Sequence, residues 1–316
     1  MSLDAPPLLT RKRNLAFALE TTTNTPATLN AAAGVTNVFD PAVEYTTEVV
    51  ERQAQGNLSP IAQGRGARAA KCTFETELVG SGTAATAPGW ATLLTACGLV
   101  SGSGAVYSPS TGTIQTVTLG LYQHGRLKTI TGAMGTFVLT LKRGQKGRIK
   151  WTFSGIEQPP TETTQILPTY VSTVAPRCGG TFTIGGVTYR APDLEFDAGN
   201  VVVMREDLAG VDTASAPTGY RSALITNRAS KSKVAPEALS LSTQNWESFY
   251  QLGTTAAASI VVGSASGNQI TIAIPVMELA ANPKDSDRNG VLADNLEFLN
   301  LRNSSAGDDE YSITFN

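Results

Sequence analysis

Short runs of alternating apolar and polar residues, rich in β-branched and aromatic side chains, recur along the chain between glycines and prolines. Residues 15–22, 43–50, 71–79, 116–122 and 137–142 carry this pattern, which predicts half-buried β-strands. Helical spacing is rare. Trp90, Leu93, Leu94 and Cys97 recur on one helical face before Gly98 and predict a short helix over 88–97. A second helix is predicted over 245–252, stopped by Gly253.

The two helical segments expose an internal repeat. In each half a tryptophan-led helix closed by glycine precedes a Gly-containing hairpin, near His124-Gly125 and near Ser266-Gly267-Asn268. An apolar-alternating strand ending in arginine comes next, 137–143 matching 296–302, and then a terminal strand ending in Thr-Phe, 148–153 matching 310–315. Ile149, Trp151 and Phe153 take the alternate positions of Tyr311, Ile313 and Phe315, one apolar face per strand. Further upstream, 43–52 resembles 194–205, and a long Gly-, Pro- or Ser-containing loop follows each, 53–69 and 206–233. Loops of that length are usually functional or disordered.

The expected fold is therefore mainly β: tandem duplicated β-sandwich domains, each with one short α-helix. The first spans 1–156, a linker with Pro159, Pro160, Pro168 and Pro176 spans 157–179, and the second spans 180–316. Two domains of about 150 residues also agree with the length of 316.

Charged residues are sparse at 16%, the formal net charge is −2 and the pI is near 5.6. That balance argues against a protein that grips nucleic acid, whose affinity comes from clustered Lys and Arg. Cys72, Cys97 and Cys178 are widely spaced with no C-x-x-C pair, so reduced thiols are expected rather than a zinc or redox centre. Arg11, Lys12 and Arg13 are not followed by the apolar stretch of a secretion signal, and no segment approaches the ~20 apolar residues of a membrane span.

Four stretches carry a family resemblance: Arg11 to Thr23, which leads into an Ala/Thr/Pro-rich arm; Phe74 to Gly82 with Pro88 to Gly98; Leu121 to Lys128 with Gly132 to Gly135; and Gly307 to Glu310 before the last strand. With these the chain resembles the tail tube proteins (major tail proteins) of long-tailed bacteriophages, in their larger two-domain class. The resemblance implies a non-catalytic virion protein, made in the host cytoplasm, whose sheets join those of neighbouring subunits into a barrel around a DNA channel. It also implies six tube domains per ring. Three chains would supply them, giving a trimeric ring with pseudo-sixfold symmetry; a hexamer with one domain on the outside is the alternative. Stacked rings would meet the tape measure, terminator and distal tail proteins, with DNA only as passing cargo, no membrane and no cofactor. A neutral or acidic wall lets such a polyanion slide. Contacts between rings and subunits would fall on the N-terminal arm, with Arg11 and Arg13, and on the two long loops and their borders. Glu51, Arg52, Arg65 and Arg68 belong to the first, and Arg205, Glu206, Asp207, Arg221 and Arg228 to the second.

Chemical motifs are few. His124, the single histidine, falls at a predicted turn with no nucleophile or orienting carboxylate marked near it. Residues 64–69 match a relaxed dinucleotide fingerprint, but a strand follows where a helix is needed. Asp285, Asp287, Asn289 and Gly290 reproduce the opening of a calcium loop, yet the twelfth position is Leu296, so a polar turn is expected. Asp308, Asp309 and Glu310 either line a channel or solvate a turn. A competing class is a tandem β-sandwich binding module that recognises a glycan or cell surface, as baseplate and adhesin domains do. It would display an aromatic platform, whereas most aromatics here fall on inferred core faces.

Overall fold

The computed structural model describes residues 8–30, 37–53, 56, 59–112, 114–166, 172–178, 181–210 and 218–316. The chain is mainly β, with two short α-helices. Its first half runs through β1 (Arg13–Leu19), β2 (Val38–Val50), β3 (Gly64–Glu77), α1 (Thr92–Ala96), β4 (Leu99–Ser101), β5 (Val106–Pro109), β6 (Val117–Gln123), β7 (Arg126–Lys142), β8 (Arg148–Glu157) and β9 (Thr161–Glu162). The second half runs through β10 (Phe182–Ile184), β11 (Val187–Thr188), β12 (Asp193–Asp197), β13 (Asn200–Glu206), β14 (Tyr220–Arg228), β15 (Lys231–Val234), α2 (Trp246–Gln251), β16 (Thr255–Val262), β17 (Ile270–Leu279), β18 (Lys284–Arg288), β19 (Val291–Asn300) and β20 (Ser312–Phe315).

Both halves repeat one strand order. The first is β1-β6-β7-β8-β3-β2, antiparallel throughout. The second is β10-β16-β17-β19-β15-β12. A short strand caps the start of the third member each time, β9 on β7 and β20 on β17. This order corrects the alignment read from sequence. The counterpart of β7 is β17 with its continuation β18, that of β8 is β19, and that of the last strand is β9. Any strand with one buried face alternates with period two, so alternation alone cannot say which strand matches which.

The predicted loops also shrink. Residues 64–69 belong to β3, and 206–233 contains β14 and the start of β15. What remains between the paired strands are stretches of equal length, 51–63 and 207–219, only partly within the described residues, joining two long hairpins: β2 with β3, and β12-β13 with β14-β15. In the second hairpin the ladder breaks at Gly199 (φ 65°), where a Cβ would run into the Ala229 carbonyl oxygen. Thr161–Glu162, inside the expected linker, is β9; Pro168 lies outside the described residues.

The helix expected over 88–97 is a 3-10 turn at Gly89–Ala91 followed by α1, closed at Gly98 (φ 81°). Asn245 caps α2, its side-chain oxygen accepting from the Ser248 N–H at 2.9 Å. The tryptophans do occupy matching places. Trp90 packs 6.1 Å from Trp151 on β8, and Trp246 packs 5.9 Å from Phe298 on β19.

Two ladders tie the halves together: β12 pairs with the end of β7, and β20 pairs with β5. One apolar cluster consequently runs through both, with Trp151, Phe153 and Phe196 fully buried. Two of its indole donors are matched: the Trp151 Nε1–H donates to Thr76 Oγ1 and the Trp90 Nε1–H to the Val79 carbonyl, both at 2.9 Å.

Candidate functional site: a charged sheet face and two hairpin tips

The β7–β12 ladder makes eight strands continuous, in the order β2-β3-β8-β7-β12-β15-β19-β17. Alternation gives this sheet two unlike faces. Phe74, Trp151, Phe137, Phe196 and Phe298 point into the core, and the residues between them point away. Most of those outward charges face the opposite sign on the next strand, but β8 (Arg148, Lys150) and the adjoining end of β7 (Lys142) are both basic. Glu75 lies opposite Lys150, Lys142 opposite Asp193, Glu195 and Asp197 opposite Lys233 and Lys231, and Lys233 opposite Glu297.

Ion pairs join several of them: Arg148–Glu75 and Lys231–Glu297 at 3.1 Å each, and Lys233–Glu195 at 4.0 Å. Exposed pairs of this kind contribute about 0–1 kcal/mol each, so they set register more than stability. The result is a broad polar surface on which acidic and basic groups are interleaved. Basic groups gather at one place on it, where Lys142, Lys146, Arg148 and Lys150 line a cavity together with Glu75 and Glu195. Same-sign charges two apart (Glu75 and Glu77, Arg148 and Lys150, Asp193, Glu195 and Asp197, Lys231 and Lys233) were the available sequence signal for this face.

The residues singled out from sequence fall mostly at the hairpin tips. Glu51 and Arg52 follow β2, and Arg65 opens β3 opposite Val49; all three are exposed. Arg205, Glu206 and Arg221 are exposed at the second tip, where Asp207 sits 3.8 Å from Arg221. The hairpins touch, the Arg68 N–H donating to the Thr218 carbonyl at 2.9 Å. Arg13 lies apart from these, 3.5 Å from Asp40 at the start of β2, with exposed Arg11 beside it.

Arg228 is turned inward. Its guanidinium holds Asp308 at 2.8 Å and Glu310 at 3.4 Å, tying β14 to the turn before β20. Burial raises the Asp308 pKa, but hydrogen bonds from Thr111 and Arg228 outweigh it and hold the carboxyl below its usual range. Asp308 and Glu310 thus brace the molecule from within. Next to them Asn200 donates to the carbonyls of Cys97 (2.7 Å) and Gly135 (3.0 Å).

The chemical candidates resolve into structure. His124 (φ 49°) and Gly125 (φ 95°) form the two-residue turn of β6–β7, with Nδ1 accepting the Leu9 N–H at 2.8 Å. Asn289 and Gly290 do the same for β18–β19, and Asp287 accepts the Gly290 N–H at 2.7 Å. No metal-holding group of His, Cys, Asp or Glu occurs among the described residues. The three cysteines are free thiols; Cys72 and Cys97 are buried, and Cys178 is partly exposed. Burial pushes the Cys72 thiol up to about 12.

No protein-family model matches the chain, and no curated protein does. No helix among the described residues is long and apolar enough to cross a membrane. Fold and site together define a mainly β protein of two repeated units sharing one sheet, one face of which carries charges of both signs.

Proposed function

We propose that this chain is a tail tube subunit of a long-tailed bacteriophage, a structural protein assembled into stacked rings through which the phage genome passes. The observation that carries the reading is the β7–β12 ladder, which runs two repeated units into one sheet. A tube wall built from repeated units needs that continuity, and the interleaved charges of the outward face suit a channel along which DNA slides without sticking. Three chains would complete the ring with pseudo-sixfold symmetry. The hairpin tips carrying Glu51, Arg52, Arg65, Arg205, Glu206, Asp207 and Arg221 would meet the next ring, where charge fixes register more than affinity. The glycan-binding alternative finds little support, since Tyr250 is the one aromatic among the exposed large apolar residues described.

Negative-stain microscopy of the purified protein tests the proposal. Rings or tubes with a central channel are expected, and a monodisperse monomer at tens of micromolar would overturn it.

A further inference from the structure

The two repeated units carry different charge at corresponding places. Around the turn from β7 to β8, four cations, Lys142, Lys146, Arg148 and Lys150, line a cavity of about 450 Å³ with only two carboxylates, Glu75 and Glu195. An adjoining cavity of about 420 Å³ reaches onto the second unit. Lys142, Lys233 and Lys284 line it with Asp193, Glu195 and Glu297, so its charges balance.

Matching strands show where the difference arises. Trp151 and Phe298 are the residues that the helix tryptophans touch, so Lys150 in β8 corresponds to Glu297 in β19. Glu75 lies opposite the first and Lys233 opposite the second, the same pair with its signs exchanged. By the same register Arg148 corresponds to the neutral Asn295. Phe137 lies opposite Trp151 and Leu279 opposite Phe298, so Lys142 corresponds to Lys284. Lys146 belongs to the turn of the first unit, and an isolated bridge sets a further cation, Arg177, opposite it.

Gathering like charge on neighbouring strands is destabilising unless something offsets it. The protein itself answers two of the four cations. Arg148 holds Glu75 at 3.1 Å and lies 4.4 Å from the centre of the Phe39 ring. Lys146 Nζ donates to the Ala175 carbonyl. Glu195 is turned to Lys233, 4.0 Å away. Asp193, opposite Lys142 in the ladder, lines the balanced cavity and not this one. Among the described residues, no ion pair or side-chain hydrogen bond engages the ammonium groups of Lys142 and Lys150.

We propose that this cavity binds a phosphate group. The lining has an excess of two positive charges, and a phosphomonoester carries about −1.5 to −2 near pH 7. Its oxygens accept from several charged N–H donors at once. Lys142 and Lys150 bring uncommitted ammonium groups, and Arg148 brings the N–H groups that Glu75 leaves over. A single carboxylate would leave half of the excess unmatched. The site goes beyond the tube reading and does not require it. Free phosphate is one source of the ligand. In a tube the DNA backbone is the other, held at one point per chain while the rest of the face lets it slide.

Calorimetric titration of the full chain with sodium phosphate, at fixed ionic strength, reads the first source, and fluorescence anisotropy of a short labelled DNA duplex reads the second. Phosphate should bind at one site per chain. Lys142→Gln/Lys150→Gln should weaken it by about tenfold or more, with circular dichroism unchanged. Lys284→Gln, which removes the counterpart of Lys142 from the balanced cavity, should leave the affinity unchanged. Phosphate binding lost in the double variant assigns the cavity to the free anion. Duplex binding weakened by that variant, without uptake of free phosphate, assigns it to the nucleic-acid backbone. Binding of neither probe, binding that the double variant leaves intact, or binding that Lys284→Gln weakens equally would overturn the inference. Phosphate binding by a chain that stays monomeric would keep it and refute the tube, whereas tubes that bind neither probe would do the reverse.

Discussion

Phe196 is the residue at which the two halves are most directly joined, and Phe196→Ala measures that joint. The side chain is fully buried on β12, its ring centroid 4.8 Å from Tyr311 in an edge-on arrangement and 6.2 Å from Phe137 on β7. Truncating a buried phenylalanine costs about 3–5 kcal/mol, of which an aromatic pair supplies roughly 0.5–1.5 kcal/mol. Phe196→Leu, which keeps most of the volume, should cost under about 1.5 kcal/mol. Urea unfolding of dilute, unassembled protein, followed by tryptophan fluorescence and circular dichroism, gives the difference; dilution matters because assembly adds apparent stability. Trp90 and Trp151 report on the first half and Trp246 on the second. One shared core requires a single coincident transition, shifted to lower urea in Phe196→Ala with an unchanged slope. A loss below about 1 kcal/mol, or two separate transitions in the wild type, would refute a core common to both halves.

Other consequences are as readily checked. A thiol reagent at pH 8 should label only Cys178 in the native protein and all three cysteines in urea, since Cys72 and Cys97 are buried with raised pKa values; rapid native labelling of two or more thiols would contradict the core packing. The Asp308 carboxyl is held below its usual range. Its contribution is therefore fully present above the unfolded carboxylate pKa of about 3.9 and is lost as pH falls through the lower folded value. Asp308 is about a third exposed, so the contribution should stay under about 1 kcal/mol, and Asp308→Asn should flatten that part of an acid-unfolding curve. An unchanged curve would remove Arg228–Asp308 as a brace.

Much of the architecture was legible in the chain. Alternation found strands with one buried face, and the tryptophan-glycine pairs located both helices because few other patterns place large apolar residues at helical spacing before a stop. Gly64–Ala69 was read as loop because Gly, Arg and Ala there bury little and so leave no apolar signal. The second hairpin was missed for a related reason: Val201, Val203 and Leu224 are exposed, so its alternation marks no core. The charged face escaped notice because pairing between distant strands creates it; nothing local to Glu195 announces Lys233 or Thr140. The inward turn of Arg228 depends on a partner 80 positions away in sequence.

The long strand β7 also imposes an order of events on the ribosome. Residues 138–142 have an outer neighbour only once Asp193–Asp197 has been made, about fifty positions later. At ~5–20 residues per second the nascent first half waits several seconds with that stretch of backbone unsatisfied. Polysomes crowd identical nascent chains together, and during this interval another chain's β12 competes with the chain's own. Slow translation across 143–192 would therefore favour swapped dimers over correctly closed monomers.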